Sequence, residues 1–337
     1  MNYAMESFTG IRPTADLTAA NYIGALKRTI DDEQIARDKG VEIQSSVFLA
    51  EIHAATTADP RDVVCHSHEL TRTLIALGYE GEIYSQWDIE DLVAPTEYAL
   101  RGLTSIARLL RLPTLKDKVG QTDAVESAPV SLAMYPMMMA ADIVLARPKF
   151  VPTGKDQRPH IEITRELIRA HNRKFKTDLQ LPKDKEVEPI NIGSLGPDSG
   201  KMSKTEPKGA ILLDETPEQA RKKVMKAYLA AEPGDERNGR VDNIVAIAHG
   251  LSLPGDPRFD EVVQLAGQLK DGSPVSKDFK EGVAEIVGGF VADLHEKRQS
   301  VGDLEVAARR ESGHSYIRPI ATETLTAMQA AQRTRRK

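Results

Sequence analysis

The chain has 337 residues, a length that predicts two domains because single domains usually have ~100–200 residues. Apolar residues make up 40% of the sequence and charged residues 28%, which excludes a disordered polyelectrolyte and a membrane protein and predicts a globular fold. Lysine and arginine number 45 against 50 for aspartate and glutamate, so any contact with nucleic acid must use a local basic patch.

Cysteine usage and the N-terminus both bear on the compartment. The single cysteine, Cys65, excludes an internal disulfide framework and indicates a reducing compartment, for which the cytoplasm is our expectation. No cationic start with an apolar core opens the chain, and no stretch reaches ~18 uninterrupted apolar residues, so we expect neither export nor membrane insertion. Cys65, His66 and His68 resemble a metal site, but they fall in one predicted helix without a second ligand pair, and we predict no metal there.

The first half of the chain alternates short apolar runs with helical periodicities. This pattern predicts a parallel sheet covered by helices, an α/β fold. Strands are predicted at 45–52 and 81–86. Between them we predict a helix over 60–77, because Asp59 is a good N-cap and Pro60 suits the first helical position.

The remaining elements are predominantly helical. A helix is predicted over about 95–110, with Pro113 as its stop signal, and an amphipathic helix over 156–175. After Thr205 one short strand-like run precedes a helix that begins at Pro217. A second, helical domain is therefore predicted from that point onward, with breaks rich in glycine and proline at 233–239, 250–257 and 271–274.

Two segments have a composition that suits phosphate binding. Residues 9–26 form a turn with glycine and proline followed by a helix from near Thr18, whose first N–H groups either bind an anion or are simply capped. Residues 200–207, GKMSKTEP, place Lys201 and Lys204 on a loop rich in glycine, serine and proline. Those lysines either neutralise charge during phosphoryl or nucleotidyl transfer or belong to a solvated linker.

Two further segments carry an isolated charge or a charge excess. In residues 134–166 the methionines are typical core residues, whereas Asp142 needs a partner if it is buried, either as a cap or with a ligand N–H. The last thirty residues, 308–337, hold seven basic and two acidic residues. This excess either faces phosphates or forms a solvated tail.

Taken in this order, the segments resemble the class I aminoacyl-tRNA synthetases, and within them the bacterial tryptophanyl branch, over nearly the whole chain. TAAN at 18–21, followed by YIGAL, stands where class I enzymes carry the HIGH signature, and KMSKT at 201–205 is similar to their KMSKS signature. YPMMMAADI followed by VPTGKDQRPHIEITRE resembles the stretch that distinguishes tryptophanyl enzymes from their tyrosyl relatives.

The resemblance implies a Rossmann-like parallel-sheet catalytic domain over 1–205, a helical domain over 206–304 that binds the tRNA anticodon, and a segment 305–337 that packs back on the first domain. It also implies a cytoplasmic homodimer. The implied reaction joins L-tryptophan to ATP, with Mg²⁺ as the metal of the nucleotide and no bound prosthetic group, and passes the aminoacyl group to tRNA(Trp).

Motif by motif, the resemblance implies the site residues. Catalytic roles fall to Thr18, Asn21, Lys118, Lys201 and Lys204. The implied ATP site consists of Arg12, Pro13, Thr14, Ala20, Asn21, Lys116, Gly154, Lys155, Asp156, Ile192, Lys201, Met202, Ser203, Lys204 and Thr205. In the implied tryptophan site Asp142 accepts the indole N–H, and the other members are Phe8, His53 and Met139 around the ring and Tyr135 and Gln157 at the amino group. No resident metal is implied.

Four positions depart from the family pattern. Ala20 stands where a glycine is usual, Lys155 where an acidic residue is usual, Glu51 where aspartate is usual, and Thr205 where serine is usual. The departures at Ala20 and Lys155 suggest an alternative, a paralogue with impaired ATP activation that binds RNA or senses tryptophan. A tyrosyl-type ligase with the same architecture is the other alternative.

Overall fold

A parallel sheet of four short strands organises the first half of the protein. The structure is a computed structural model, and it describes residues 1–15, 17–41, 44–113, 129–152, 157–183, 190–197, 200, 202–203, 207–229 and 235–334. The strands are β1 (Met5–Ile11), β2 (Ser45–Leu49), β3 (Glu82–Ser85) and β4 (Pro148–Phe150). They lie in the order β3-β2-β1-β4 and all their pairings are parallel, which confirms the predicted α/β class.

Helices follow each of the first three strands and cover the sheet. Those of the first half are α1 (Ala19–Asn21), continued by a π-helical turn at Tyr22–Leu26, then α2 (Lys27–Asp38), α3 (Glu51–Ala55), α4 (Pro60–Ala76), α5 (Glu90–Arg101), α6 (Ile106–Leu109), α7 (Val130–Ala146) and α8 (Arg158–Phe175). The predicted helix 60–77 is confirmed, and the Asp59 carboxylate accepts from the N–H of Arg61 at 2.9 Å as an N-cap should.

The single helix predicted over 95–110 is wrong. The structure has two helices there, because α5 ends at Arg101 with Gly102 as its C-cap and the chain turns before a new N-cap at Ser105. The Ser105 hydroxyl accepts from the N–H of Arg108 at 3.2 Å, which starts α6. Helix α5 also begins earlier than predicted, at Glu90, with acidic residues in its first turn.

The second half is helical, as the sequence predicts. Its helices are α9 (Pro217–Met225), α10 (Asp235–Leu251), α11 (Arg258–Lys270), α12 (Ser276–Ser300) and α13 (Asp303–Arg333). The break predicted at 233–239 is wrong from Asp235 onward, because Gly239 lies inside α10. The strand-like run after Thr205 makes one isolated bridge, between Thr18 and Leu212.

One large hydrophobic cluster joins the two halves. It contains Leu26, Leu74 and Ile83 from around the sheet and Val241 and Phe279 from the helical half. A second cluster lies on Phe8 and Tyr84 and includes residues of α7 and α13. The sheet is therefore covered partly by the helices that follow it much later in the chain.

Helix α13 runs back along β3, the edge strand of the sheet. The Arg309 guanidinium donates to the carbonyl oxygens of Tyr79 and Gly81 at 3.1 and 2.7 Å. The Tyr316 hydroxyl donates to the carbonyl oxygen of Ala4 at 2.8 Å. Covering an edge strand in this way protects its unpaired backbone groups from other chains. Within the described residues, no helix is long and apolar enough to cross a membrane.

The close approach of α13 to β3 requires a glycine at position 313. A Cβ atom there would lie 2.0 Å from the carbonyl oxygen of Ile83, a backbone atom that cannot turn aside. We expect Gly313→Ala to lower the free energy of unfolding by about 2 kcal/mol or more, since overpacking a rigid contact moves whole elements. Urea unfolding measures it.

Gly267→Ala is the matched control, because Gly267 is exposed inside α11 and no atom lies within 4 Å of a Cβ built on it. Alanine there should raise the stability by about 0.5–1 kcal/mol through helix propensity. Equal effects of the two substitutions would contradict the contact between α13 and β3.

His171, at the end of α8, anchors the last turn of α13. Its ring is buried, with Nδ1 2.8 Å from the Thr177 hydroxyl and Nε2 3.3 Å from the Gln332 amide nitrogen. The Gln332 amide also donates to the carbonyl oxygen of Ala99 at 3.2 Å. Burial lowers the pKa of His171 to about 4, so the neutral ring is the folded form.

We expect this histidine to make the protein less stable in mild acid. A histidine whose pKa is lower in the folded than in the unfolded chain contributes stability that is complete above pH ~6.5 and is lost as the pH falls towards 4. Between pH 7 and pH 5 the wild type should lose about 2 kcal/mol more stability than His171→Asn does, as measured by urea unfolding at both pH values. The same loss in both proteins would contradict this assignment.

Candidate active site

The candidate site lies where the parallel strands end. Arg12 follows β1, His53 lies on the short helix after β2, and Gln86 follows β3 directly. The carboxyl ends of parallel strands meet at one edge of a sheet, and ligands of open α/β sheets bind outside that edge. Three segments distant in sequence therefore present side chains to one place.

Asp142 on α7 is the acidic centre of this place. Its carboxylate is 2% exposed, with Oδ2 at 2.9 Å from His53 Nε2 and the two oxygens at 2.9 and 3.0 Å from the Gln86 amide nitrogen. Burial raises the pKa of Asp142, whereas the His53 ring and the Gln86 amide act in the opposite direction. The aspartate is thus a buried acceptor and not a helix cap.

A second buried carboxylate, Glu51, stands behind this centre. It accepts from the Ser67 hydroxyl at 2.6 Å and from the backbone N–H of Gln86 at 2.7 Å, and the Arg310 guanidinium of α13 lies 3.6 Å away. Burial raises the pKa of Glu51, and these donors oppose the shift. Gln86 therefore links two buried acids, a role that our sequence analysis missed although its position after a strand of a parallel sheet marks it.

Aromatic and sulfur-containing side chains form the apolar wall near Asp142. Phe8 is buried and stacks on Phe48 with ring centroids 4.7 Å apart, and Tyr84 lies beside both rings. Met139, half-buried on the helix that carries Asp142, packs against the same cluster. Two of the residues predicted for an indole pocket, Phe8 and Met139, therefore share one cluster, and Asp142 stands on the helix that carries Met139.

The two residues predicted to hold the amino group of tryptophan lie on α7 and at the N-cap of α8. Tyr135 stands seven positions before Asp142, on the same face of α7. Its hydroxyl is 2.9 Å from His160 Nε2 on α8, and the two rings meet edge-on. Gln157 is half-buried and is the N-cap residue of α8. His160 is a neighbour that the sequence analysis did not single out.

The TAAN segment forms a capped helix start. The Thr18 hydroxyl accepts from the N–H of Asn21 at 3.1 Å, and the Asn21 side-chain oxygen accepts from the N–H of Thr18 at 3.2 Å, a reciprocal capping box. The segment is also tied to the chain that follows the KMSKT loop, because Ala19 N–H donates to Ile211 at 2.9 Å and Leu213 N–H to Leu17 at 2.8 Å.

The described parts of the second motif lie against the same core. Met202 N–H donates to the carbonyl oxygen of Ile192 at 3.2 Å, and both side chains are buried in the cluster that contains Ala20. Ser203 is half-buried beside them. The two signature segments, about 180 residues apart in sequence, therefore pack into the same hydrophobic cluster.

The turn after β1 completes the described part of the site. Arg12 is exposed, and its guanidinium donates to the Thr57 hydroxyl at 2.7 Å, while Pro13 is buried and Thr14 N–H donates to the Arg12 carbonyl at 2.9 Å. Other predicted site residues lie outside the described residues: Lys116, Lys118, Gly154, Lys155, Asp156, Lys201, Lys204 and Thr205. Among the residues that the structure describes, no group of three acidic, histidine or cysteine side chains suits a metal ion.

Comparisons with known proteins agree with this arrangement. The family of class I tRNA synthetases for tryptophan and tyrosine matches residues 2–299. The tryptophan–tRNA ligase of Streptococcus pneumoniae is 31% identical over 96% of both chains, and that of Helicobacter pylori is 27% identical over 94% of this chain and 95% of its own.

Solved structures show the same similarity. The tryptophanyl-tRNA synthetase of Campylobacter jejuni complexed with ADP and tryptophan superposes with a TM-score of 0.77 at 26% identity, over 97% of this chain and 99% of its own. That of Mycoplasma pneumoniae, at 24% identity, shares the fold with a TM-score of 0.82 and covers 98% of each chain.

Proposed function

Because the chain belongs to the class I tRNA synthetases for tryptophan and tyrosine, we propose that it is a tryptophan–tRNA ligase. It activates L-tryptophan with ATP to tryptophanyl-adenylate and transfers the aminoacyl group to tRNA(Trp). The observation that carries the proposal is the buried carboxylate of Asp142 beside the apolar wall of Phe8 and Met139. The relatives named above are tryptophan enzymes, which favours tryptophan over the tyrosyl alternative.

Asp142 gives the pocket its preference for an indole. A buried carboxylate that accepts the indole N–H recognises tryptophan by a charge-assisted hydrogen bond. Phenylalanine has no donor at this position and would leave the carboxylate without that bond, which a polar pocket rejects strongly. Tyr135 and Gln157 are our candidates for holding the amino group, on the same side of α7 and at the start of α8.

The nucleotide is proposed to bind along the turn after β1 and the capped start of α1. The residues of this surface are Arg12, Pro13, Thr14, Ala20 and Asn21, with Ile192 and Met202 bordering the adenosine. Lys116, Lys118, Lys201 and Lys204 are proposed to neutralise the β- and γ-phosphates. ATP is bound as its Mg²⁺ complex, with Gly154, Lys155 and Asp156 at the phosphate side and Ser203 and Thr205 in the loop.

Positioning and electrostatics perform the chemistry in this proposal. A carboxylate oxygen of tryptophan attacks the α-phosphorus, the bond to the bridging oxygen of the β-phosphate breaks, and pyrophosphate leaves with that electron pair. A terminal ribose hydroxyl of the tRNA then attacks the mixed-anhydride carbonyl, and AMP leaves. Both steps need an aligned nucleophile and neutralised phosphate charge, and neither needs a covalent protein nucleophile.

Larger features of the protein remain part of the same proposal. The helical residues 206–304 bind the tRNA anticodon, the catalytic domain spans 1–205, and the active form is a cytoplasmic homodimer. The basic residues of 308–337 are divided between two uses in this proposal. Arg309 and Arg318 bind backbone carbonyl groups of the first half, and Arg310 lies beside Glu51. Arg333, Arg335, Arg336 and Lys337 are proposed to contact tRNA phosphates.

Amino-acid-dependent ATP–pyrophosphate exchange tests the proposed activity. With Mg²⁺ and each of the twenty amino acids in turn, we expect exchange with tryptophan alone, followed by charging of tRNA(Trp). Exchange with tyrosine would support the tyrosyl alternative. A folded protein that exchanges with no amino acid until Ala20 is replaced by glycine would support the impaired paralogue.

Substitution of Asp142 tests the assigned pocket. We expect Asp142→Asn to raise the KM for tryptophan about 10- to 100-fold, because the amide replaces one charged acceptor with a donor that faces Gln86, and to leave the KM for ATP nearly unchanged. Steady-state exchange kinetics measure both constants.

Asp256→Asn is the matched control for this measurement. It makes the same chemical change where the carboxylate pairs with Arg258 just before α11, away from the strand ends. Its KM for tryptophan should equal that of the wild type. An Asp142 variant with an unchanged KM for tryptophan would contradict the pocket assignment.

A further inference from the structure

Gln86 has a buried side-chain amide whose hydrogen bonds go to Ile52 and Asp142. It follows β3 directly, its side chain is 0% exposed, and it lies between helices α3 and α7. The side-chain oxygen accepts from the N–H of Ile52 at 3.0 Å, and the nitrogen donates to Asp142. A buried amide with both ends bonded is held in one orientation.

The contact with Ile52 determines which end of the amide faces Asp142. A backbone N–H only donates, so the carbonyl end of Gln86 must face Ile52. The nitrogen end then faces Asp142, which accepts. The opposite orientation would place two donors together at Ile52 and two acceptors together at Asp142, and each buried clash of this kind is costly.

The backbone of Gln86 is anchored as firmly as its side chain. Its N–H donates both to the carbonyl oxygen of Leu49, at the end of β2, and to the carboxylate of Glu51 at 2.7 Å. Glu51 is held in turn by Ser67 and by Arg310 of α13. The amide therefore stands on a support made from four separate elements, β2, α3, α4 and α13.

These contacts fix the orientation of the Asp142 carboxylate and occupy only part of its acceptor positions. The Gln86 nitrogen bridges both carboxylate oxygens, and His53 contacts Oδ2. An ionised carboxylate has about four lone-pair positions, so this arrangement stops its rotation and leaves acceptor capacity for a ligand N–H. Donation by Gln86 also favours the ionised over the protonated carboxyl, and only the ionised form is solely an acceptor.

We propose that Gln86 is a positioning residue that sets tryptophan specificity by holding Asp142 oriented and ionised for the indole N–H. The inference rests on the proposed function and deepens it. Gln86 touches neither substrate nor nucleotide in this role and acts through Asp142. Two substitutions separate this role from simple packing: Gln86→Leu removes the donor at similar volume, and Gln86→Glu keeps the shape and the acceptor for Ile52.

The first readout is discrimination against a tryptophan analogue without the N–H. In β-(3-benzothienyl)alanine a sulfur atom replaces the indole N–H at nearly the same shape. The ratio of kcat/KM for tryptophan to that for the analogue should fall about tenfold or more in Gln86→Leu, with the KM for ATP within about threefold of the wild type. A loss of packing alone would lower kcat/KM alike for both substrates and leave their ratio unchanged.

The second readout is the pH dependence of Gln86→Glu. Two neighbouring buried carboxyl groups share one proton at low pH, so a protonated Glu at this position donates to Asp142 as the amide does. As the pH rises, both groups ionise and repel, and kcat/KM for tryptophan relative to the wild type should fall from near one at pH 6 by about tenfold at pH 8.5.

Other titratable groups face the same place, so the comparison is made as a ratio to the wild type. They are His53 and Glu51 on α3, Tyr84 on β3 and Arg310 on α13. Each of them is present in both proteins, and its own titration cancels in the ratio. A ratio that does not change with pH would overturn the proposal.

A control and a decision between two failures complete the test. Gln219→Glu makes the same chemical change in the capping box of α9, where the side chain accepts from Thr216 N–H and a carboxylate does so equally well, and it should leave both readouts unchanged. A wild type without tryptophan exchange overturns the proposed function itself. If the wild type exchanges with tryptophan and prefers it, and the Gln86 variants keep the selectivity and the pH profile of the wild type, only the role of Gln86 is overturned.

Discussion

Two carboxylates buried within one hydrogen-bonded group impose the strongest constraint on this structure. Asp142 and Glu51 are 2% and 0% exposed, and burial raises the pKa of each. A charge removed from water is tolerated only with donors in good geometry, and removing one donor leaves the other charge uncompensated. The donors come from α3, α4, the residue after β3 and α13, and the carboxylates themselves stand on α3 and α7, so the positions of these elements depend on one another.

This dependence explains why the last helix returns to the sheet. Glycine at position 313 lets α13 reach the backbone of β3, and the approach carries Arg310 to Glu51. Since Glu51 holds the backbone of Gln86 and Gln86 holds Asp142, a continuous chain of contacts joins α13 to the proposed tryptophan pocket. We therefore expect a shift of α13 to move Glu51, Gln86 and Asp142 together.

Local signals predicted the parts of the fold that depend on neighbours in sequence. Asp59 and Pro60 start α4 where their capping chemistry places it, and the apolar runs of β2 and β3 became strands. The prediction of one helix over 95–110 is wrong because it uses Pro113 as the stop signal and passes over the boundary that Gly102 and Ser105 create. The same distinction holds for the candidate site. Asp142 could be identified from the sequence because it is a charge in an apolar run. Gln86 acquires its role only from Ile52, Glu51 and Asp142, which come from other elements.

The departures from the family pattern that the structure describes take part in packing. Glu51 stands where aspartate is usual, and its extra methylene belongs to a side chain that reaches both Ser67 and the backbone of Gln86. Ala20 stands where glycine is usual, and it lies in the core cluster that also contains Ile192 and Met202. At 9% exposure its methyl group is buried in that cluster. Both substitutions are therefore compatible with an intact site, which agrees with a working ligase better than with an impaired paralogue.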